Sequence, residues 1–303
     1  VLVKLECANR GGSVKDRIAR HILGRALASG ELRPGDTVVE ATSGNTGIAL
    51  ALAARRLDLR AIVFMPEHMS PERRRIMERL GAVVQLTPRA ESFAGACARR
   101  DAYRGRSGFF IPDQFANPEN SECHRTTTGR ELVTQVRARG GTPLGAFVAG
   151  VGTGGTLMGV SAALREAFPG VRRVAVEPDE SAVMSGGPAG EHGIAGIGDG
   201  FVPALVDLSQ VDEVMRITTA EAHATAQRLH REHGHCVGPS AGANFAAALR
   251  LRDRGLRTAT LWPDCADRYG SQGFAPPADA ATTCPLRSYC RERTHMLFGD
   301  GVA

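Results

Sequence analysis

Short apolar runs alternate with longer stretches of helical period along this chain. The runs fall at 2–5, 37–40, 61–65, 83–86, 109–111, 146–149, 173–177, 213–217 and 258–262. They are rich in Val, Ile, Leu, Phe and Ala, and they read as strands. Between them, apolar residues three and four apart predict helices over 13–29, 45–56, 71–80, 91–101, 128–139, 156–167, 219–232 and 241–254. Such alternation builds parallel sheets covered by helices on both faces. These sheets hold ligands at the carboxyl ends of their strands, where loops meet helix N-termini. No internal repeat of short period is visible. From Gly270 the periodicity is lost: 273–279 reads as a linker and 284–293 as a short terminal element.

Composition narrows the classes. A chain of 303 residues is long enough for two domains, and 43% hydrophobic with 23% charged residues is ordinary for a globular protein. Aromatics at 5%, with one tryptophan, leave little for base stacking. The net charge is +5, but arginines interleave with glutamates, as in Pro-Glu-Arg-Arg-Arg-Ile-Met-Glu-Arg-Leu over 71–80, so no basic stripe forms. Nucleic acid is therefore not an expected partner, and modest attraction for small anions is. No apolar run reaches membrane-spanning length. The seven cysteines are scattered, odd in number and without a Cys-x-x-Cys pair, which points to free thiols and a cytoplasmic location. The chain opens at Val1, already in a strand, so a preceding N-terminal piece is expected.

The basic residues themselves carry a signal. Of 37 lysines and arginines only Lys4 and Lys15 are lysine. Arginine stays protonated and forms no Schiff base, whereas a desolvated lysine amine can attack a carbonyl. Lys15 stands in Gly11-Gly-Ser-Val-Lys-Asp-Arg17, at a turn opening a helix, where a plain solvated lysine is the competing reading.

Four more motifs sit at strand-to-helix turns or in loops. Glu40-Ala-Thr-Ser-Gly-Asn-Thr-Gly47 clusters Thr42, Ser43, Asn45 and Thr46 at a helix start, more than capping requires, and suits a carboxylate or other anion. Gly150-Val-Gly-Thr-Gly-Gly-Thr156 offers glycines for close approach to a phosphate and hydroxyls from Thr153 and Thr156. Gly150, Gly152 and Gly155 also fit the dinucleotide pattern, with Glu177 ending the next strand about twenty residues on. Gly238-Pro-Ser-Ala-Gly-Ala243 places Ser240 either as a helix cap or against a cofactor ring atom. Gly193-Ile-Ala-Gly-Ile-Gly-Asp-Gly200 suggests a mobile loop. No metal site is expected. Glu232, His233, His235 and Cys236 lack a second ligand pair, and Cys265, Cys284, Cys290 and His295 fit packing or free thiols better than a metal.

Taken in order, the lysine after the first strand, the Thr-Ser-Gly-Asn-Thr-Gly loop, the Gly-Thr-Gly-Gly-Thr loop and the late Ser-Ala-Gly resemble the pyridoxal-phosphate-dependent cysteine synthase family (O-acetylserine sulfhydrylase), to whose group cystathionine β-synthase belongs. The flanks Met65-Pro-Glu-His-Met-Ser-Pro-Glu-Arg-Arg74, Asp113-Gln-Phe-Ala-Asn-Pro-Glu-Asn120, Thr126-Thr-Thr-Gly129 and Pro263-Asp-Cys-Ala-Asp-Arg-Tyr269 extend the likeness to about Gly270. Against four ordered motifs the dinucleotide reading recedes. Arg10-Gly11-Gly12 and Pro239 depart from the usual pattern, as does the cysteine-bearing tail, and the family's Gly-Asn-Thr-Pro-Leu type segment would precede Val1.

The resemblance implies fold type II: an α/β chain with two doubly wound subdomains and parallel-type sheets, like the tryptophan synthase β fold. It implies a larger cofactor-binding domain over 1–39 and 115–303 and a smaller mobile substrate domain over 40–114. By resemblance, Lys15 forms the Schiff base with the aldehyde of pyridoxal 5′-phosphate and then serves as general base. Asn45 meets the ring 3′-oxygen, Gly152, Thr153, Gly154, Gly155 and Thr156 hold the 5′-phosphate, and Ser240 meets the pyridine nitrogen. Thr42, Ser43, Thr46 and Gln114 hold the substrate carboxylate, and Gly196 faces the amino acid. A neutral serine at the ring nitrogen favours β-elimination over transamination. The implied reaction is β-replacement on O-acetylserine or O-phosphoserine by a sulfur nucleophile, giving cysteine or S-sulfocysteine. Cystathionine formation and amine nucleophiles giving diaminopropionate-type products are the alternatives. A homodimer is implied, with serine acetyltransferase as a partner; a catalytically idle relative serving only as that binding partner is the rival from another class.

Overall fold

The computed structural model describes residues 1–272, Phe274 and Cys284. The terminal element expected over 284–293, Cys284 apart, lies outside them, as do Cys290 and His295. In chain order the elements are β1 (Leu2–Leu5), α1 (Lys15–Ser29), β2 (Thr37–Ala41), α2 (Asn45–Arg56), β3 (Arg60–Pro66), α3 (Pro71–Arg79), β4 (Val83–Thr87), α4 (Ser92–Asp101), β5 (Phe109–Phe110), α5 (Glu119–His124), α6 (Arg130–Ala138), β6 (Ala146–Gly150), α7 (Gly155–Ala167), β7 (Arg172–Pro178), β8 (Glu213–Ile217), α8 (Thr219–His233), α9 (Pro239–Asp253) and β9 (Thr258–Trp262). Each expected strand and helix is present with its ends within two residues of expectation. Helix α5 was not expected. It continues through a π-helical turn, Arg125–Gly129, into α6.

Two sheets form, both wholly parallel. One has the order β1-β9-β6-β7-β8 and the other β4-β3-β2-β5. Helix-covered parallel strands are buried on both faces, which is why they read as unbroken apolar runs. In β7, Val174, Ala175 and Val176 in succession are fully buried.

The chain divides into two compact units. The first holds Val1–Cys7, Gln114–Ala266 and Cys284; the second holds Ala8–Asp113, 267–272 and Phe274. Residues 8–39, expected with the larger domain, fall in the second unit. The first strand belongs to the first unit because β1 pairs with β9 (Leu2 opposite Ala259, Leu5 opposite Trp262). Helix α1 instead packs on α2, burying Ile18, Ile22, Leu23 and Ala26.

In the first unit the core gathers Val148, Val174, Val176, Met215 and Ile217 from the sheet and Ala243, Ala246, Ala247 and Leu251 from α9. Small residues let α9 approach α8 closely. A Cβ at Gly242 would stand 2.0 Å from the Ala222 carbonyl oxygen, so the glycine of the Ser-Ala-Gly motif serves this crossing. In the second unit Val39, Ala41, Phe64 and Ala96 form a core with Ile62, Phe93, Tyr103 and Phe109. Among the described residues no helix is long and apolar enough to cross a membrane.

Candidate active site

In the second unit the turn before α1 is built for close approach. Gly12 has φ +80° and donates its N–H to the Asn9 carbonyl at 2.8 Å. Asp16 reaches back to the Gly11 amide, and the Ser13 hydroxyl accepts from the Lys15 amide at 3.3 Å. The turn thereby sets Lys15 as the first residue of α1, with its side chain half-buried.

The loop after β2 carries Thr42 and Thr46 buried, with Ser43 and Asn45 half-buried. The N-cap of α2 is Gly44, where no side chain caps the helix, so its first N–H groups and its positive dipole end are suited to an anion. Two buried arginines brace this loop. Arg73 donates to the Ser43 carbonyl at 3.1 Å and lies 4.5 Å over the Tyr269 ring. Its stem crowds Gly44 so closely that a Cβ there would stand 2.2 Å from Cδ.

Arg268 is fully enclosed and donates to Asn45 Oδ1 at 2.9 Å and to the Gly11 carbonyl at 3.1 Å. One guanidinium thus ties the lysine turn to the asparagine. Because it can only donate, it fixes the Asn45 amide with Oδ1 toward itself and Nδ2–H as the donor side.

The segment bearing Arg268 is clamped in turn. The Ser70 hydroxyl lies 2.5 Å from Glu72 Oε2 and 3.1 Å from the Arg268 carbonyl oxygen, its one proton shared between them, and Glu72 also accepts from the Ser271 amide at 2.8 Å and hydroxyl at 2.7 Å. Burial works against the Glu72 charge, yet the Ser70 and Ser271 bonds hold its carboxyl below the ordinary 4.5. A depressed folded pKa stabilises fully above the ordinary value and loses that contribution as pH falls through the depressed one. The melting temperature of Glu72→Gln should therefore lie below that of the wild type near neutrality and converge with it in acid. An equal gap at every pH would contradict the clamp.

In the first unit the loop after β6 is held from several sides. The Gly150 amide donates to Asn244 Oδ1 at 2.7 Å, and Asn244 donates onward to the Leu261 carbonyl at 3.0 Å. Gly154, at φ +85°, is the N-cap of α7, and again no side chain caps the helix. A Cβ at Gly152 would stand 2.5 Å from the Gly196 carbonyl oxygen, and one at Gly155 would stand 2.0 Å from Asn120 Oδ1. Asn120 donates to the Gln114 carbonyl at 2.8 Å and to the Thr153 hydroxyl at 3.0 Å. His124 Nε2 lies 3.2 Å from the Thr156 hydroxyl. A glycine cradle at an uncapped helix start, with two oriented hydroxyls, fits a phosphate ester.

Ser240 is buried at the start of α9. The N-cap there is Gly238, so the capping reading of Ser240 does not apply. The glycine-rich loop is anchored rather than loose: Ile194 and Ile197 are in the core, and the Gly198 amide donates to the Val151 carbonyl at 3.0 Å. Gly196, at φ +94°, has Ser240 Oγ 4.0 Å from the position of a Cβ.

The dinucleotide motif resolves as structure. The Glu177 carboxylate accepts from the Met184 amide at 2.7 Å and from the Ser185 amide at 3.1 Å and hydroxyl at 2.5 Å. It closes the turn after β7, which removes the ribose-binding carboxylate that a dinucleotide site needs. Among the described residues no cluster of three His, Cys, Asp or Glu could hold a metal, and the described cysteines are free thiols. The His235 ring packs 4.7 Å from that of Trp262, and burial pushes both His230 and His235 below the ordinary histidine range.

Sequence reasoning placed Lys15, Asn45 and the Thr42–Thr46 loop, and the structure gathers them in the second unit. It placed Gln114, the Gly152–Thr156 loop, Gly196 and Ser240, which lie in the first. It missed the supports Arg73, Arg268, Asn120, His124 and Asn244. Only the flanking segments that contain Arg73, Arg268 and Asn120 hinted at them.

Residues 1–258 match the family described as "Pyridoxal-phosphate dependent enzyme". A cysteine synthase of Staphylococcus aureus is 42% identical over 272 residues, 89% of this chain and 87% of that protein. The crystal structure of an O-acetylserine-dependent cystathionine β-synthase from Helicobacter pylori superposes with a TM-score of 0.84 at 39% identity, covering 90% of this chain and 89% of the other. That of an O-ureido-L-serine synthase gives 0.85 at 38% identity, covering 92% and 90%. With its uncapped helix starts, its lysine turn and its wholly parallel sheets, the chain belongs to the pyridoxal-phosphate-dependent enzymes of fold type II, in the cysteine synthase group.

Proposed function

We propose that the chain catalyses β-replacement on an activated L-serine, O-acetylserine or O-phosphoserine, with a sulfur nucleophile, giving L-cysteine or S-sulfocysteine. The observation that carries this reading is the single guanidinium of Arg268, which ties the Lys15 turn to Asn45 beside the uncapped start of α2. A reactive amine, a fixed amide donor and a carboxylate-binding helix end then belong to one rigid assembly.

Pyridoxal 5′-phosphate, when bound, supplies the electron sink that makes a Cα proton acidic and lets a β-substituent leave. Gly152, Thr153, Gly154, Gly155 and Thr156 hold its phosphate with backbone N–H groups and two hydroxyls. Asn45 Nδ2–H donates to the 3′-oxygen. Ser240 would offer the ring nitrogen a neutral hydroxyl rather than a carboxylate, which would favour elimination. Thr42, Ser43 and Thr46, with Gln114, hold the substrate carboxylate, and Gly196 leaves room for the amino acid. The Lys15 amine would anchor the cofactor and, once free, would be placed to take the Cα proton as general base. A cytoplasmic homodimer with serine acetyltransferase as a partner belongs to the same proposal and rests on the family resemblance.

The similar structures include enzymes named for different products, so the nucleophile is the part to test. Purified holoenzyme given O-acetylserine or O-phosphoserine, crossed with sulfide, thiosulfate, homocysteine and amines, should yield cysteine or S-sulfocysteine by mass spectrometry. Cystathionine or a diaminopropionate derivative as the main product would replace this reading. Cofactor retained without any turnover would favour a catalytically idle binding partner.

A further inference from the structure

Resting on the phosphate-loop reading above, we infer that His124 is a positioning residue that aims the Thr156 hydroxyl at the cofactor phosphate. The ring is fully buried, and both nitrogens meet hydroxyls: Nδ1 lies 2.9 Å from Thr128 Oγ1 and Nε2 lies 3.2 Å from Thr156 Oγ1. Thr156 stands in the first turn of α7, and Thr128 lies inside the π-helical turn joining α5 to α6. Such turns interrupt the regular ladder and frequently mark functional sites. Here neighbouring threonines take up the backbone acceptors. The Thr126 hydroxyl donates to the Glu122 carbonyl at 2.8 Å and the Thr127 hydroxyl to the Cys123 carbonyl at 2.6 Å. Thr128 is left to face the imidazole. One turn earlier on α5, Asn120 performs the matching task for Thr153.

The direction of the chain follows from chemistry. A hydroxyl both donates and accepts, so Thr128, His124 and Thr156 could run either way. A phosphate oxygen only accepts. Once Thr156 donates to it, the Thr156 oxygen must accept from Nε2–H, and in a neutral ring Nδ1 accepts from the Thr128 hydroxyl. A buried, neutral imidazole with its proton on Nε2 completes this chain, each bond polarising the next. The hydroxyl is oriented before the phosphate arrives, which lowers the cost of holding it.

Two measurements on the holoenzyme test this. The first follows cofactor loss on dialysis against cofactor-free buffer. His124→Leu should release cofactor about tenfold faster, the loss expected for one hydrogen bond to a charged ligand, and His124→Gln, which keeps a donor in the Nε2 position, should stay within about twofold of wild type. Equal release by wild type and His124→Leu, or equal acceleration in both variants, overturns the assignment, because a merely structural role would not distinguish leucine from glutamine this way. The second reads the ring directly: in wild-type holoenzyme with 15N-labelled histidine, the imidazole signal absent from His124→Gln should be neutral and protonated at Nε2. A proton on Nδ1 overturns it. Wild-type protein that cannot be isolated with cofactor fails the phosphate-loop reading itself, and this inference with it.

Discussion

Lys15→Ala should abolish turnover, by at least about a thousandfold, the combined weight expected of a covalent anchor and a general base. Nothing in the chain can stand in for it. The only other lysine, Lys4, lies in β1 of the first unit, 9% exposed, 2.8 Å from Glu131 and within reach of Gln135. The remaining basic side chains are arginines, which neither form the covalent link nor give up a proton near neutrality. Alanine is a good helix former at the first position of α1, and the bonds that shape the turn come from Asp16, Ser13 and Gly12. Fold and melting temperature should therefore change little. Lys15→Arg should be equally inactive, which separates chemistry from charge. Borohydride reduction of wild-type holoenzyme should leave the cofactor label on the peptide bearing Lys15 and none in either variant. Activity retained without Lys15, or a label on Lys4, would contradict the assignment.

What the sequence made legible follows from range. The strands declared themselves because both faces of parallel sheets are covered, so runs such as Ala146–Gly150 and Thr258–Trp262 contain almost no exposed position. The ligand loops declared themselves because glycines and hydroxyls crowd a strand-to-helix turn within a few residues. The supports were silent. Arg268 reaches Asn45 across 223 positions and Asn244 reaches Gly150 across 94, and in a chain this rich in arginine nothing but the family-like flanks around them marks Arg268 or Arg73 beforehand. Helix α5 was missed because Glu-Asn-Ser-Glu-Cys-His shows no apolar stripe; what it buries is Asn120, Cys123 and His124, two of them polar. The place of residues 8–39 was hidden for a related reason. Sequence order sets β1 beside α1, whereas the strand finds its partner at β9 and the helix finds its own at α2. Glu177 and Gly242 show the converse: each sat in a ligand-like pattern, and each answers to local packing.

Breaking the buried ion pair beneath the carboxylate loop should be the most destabilising single change in the second unit. Glu40, with no exposed surface, accepts from Arg100 Nη1 at 3.1 Å and from the Ala41 amide at 2.9 Å. Burial opposes the Arg100 charge, yet Glu40, Asp113 and Asp101 together hold its pKa above the ordinary arginine value. Arg104 bonds both aspartates, at 2.9 Å to Asp101 and 3.0 Å to Asp113. The network ties α4 to the end of β2, two residues before Thr42, and to Asp113, just before Gln114. Arg100→Met strands a carboxylate in the core and should cost about 3–5 kcal/mol, or roughly 10 °C in melting temperature. Glu40→Met strands the guanidinium instead, and it should cost less because Asp101 and Asp113 remain as partners. Replacing both by methionine removes the desolvation penalty together with the attraction, so the double variant should be more stable than Arg100→Met alone. If the two single losses simply add, the pair is not coupled and this account of the loop's anchorage is wrong. The same Arg100→Met protein, studied below its melting point, should show a raised KM for the amino-acid substrate with a smaller change in kcat, because a loosened β2 end displaces Thr42 and Ser43 but leaves the Lys15 turn held by Arg268.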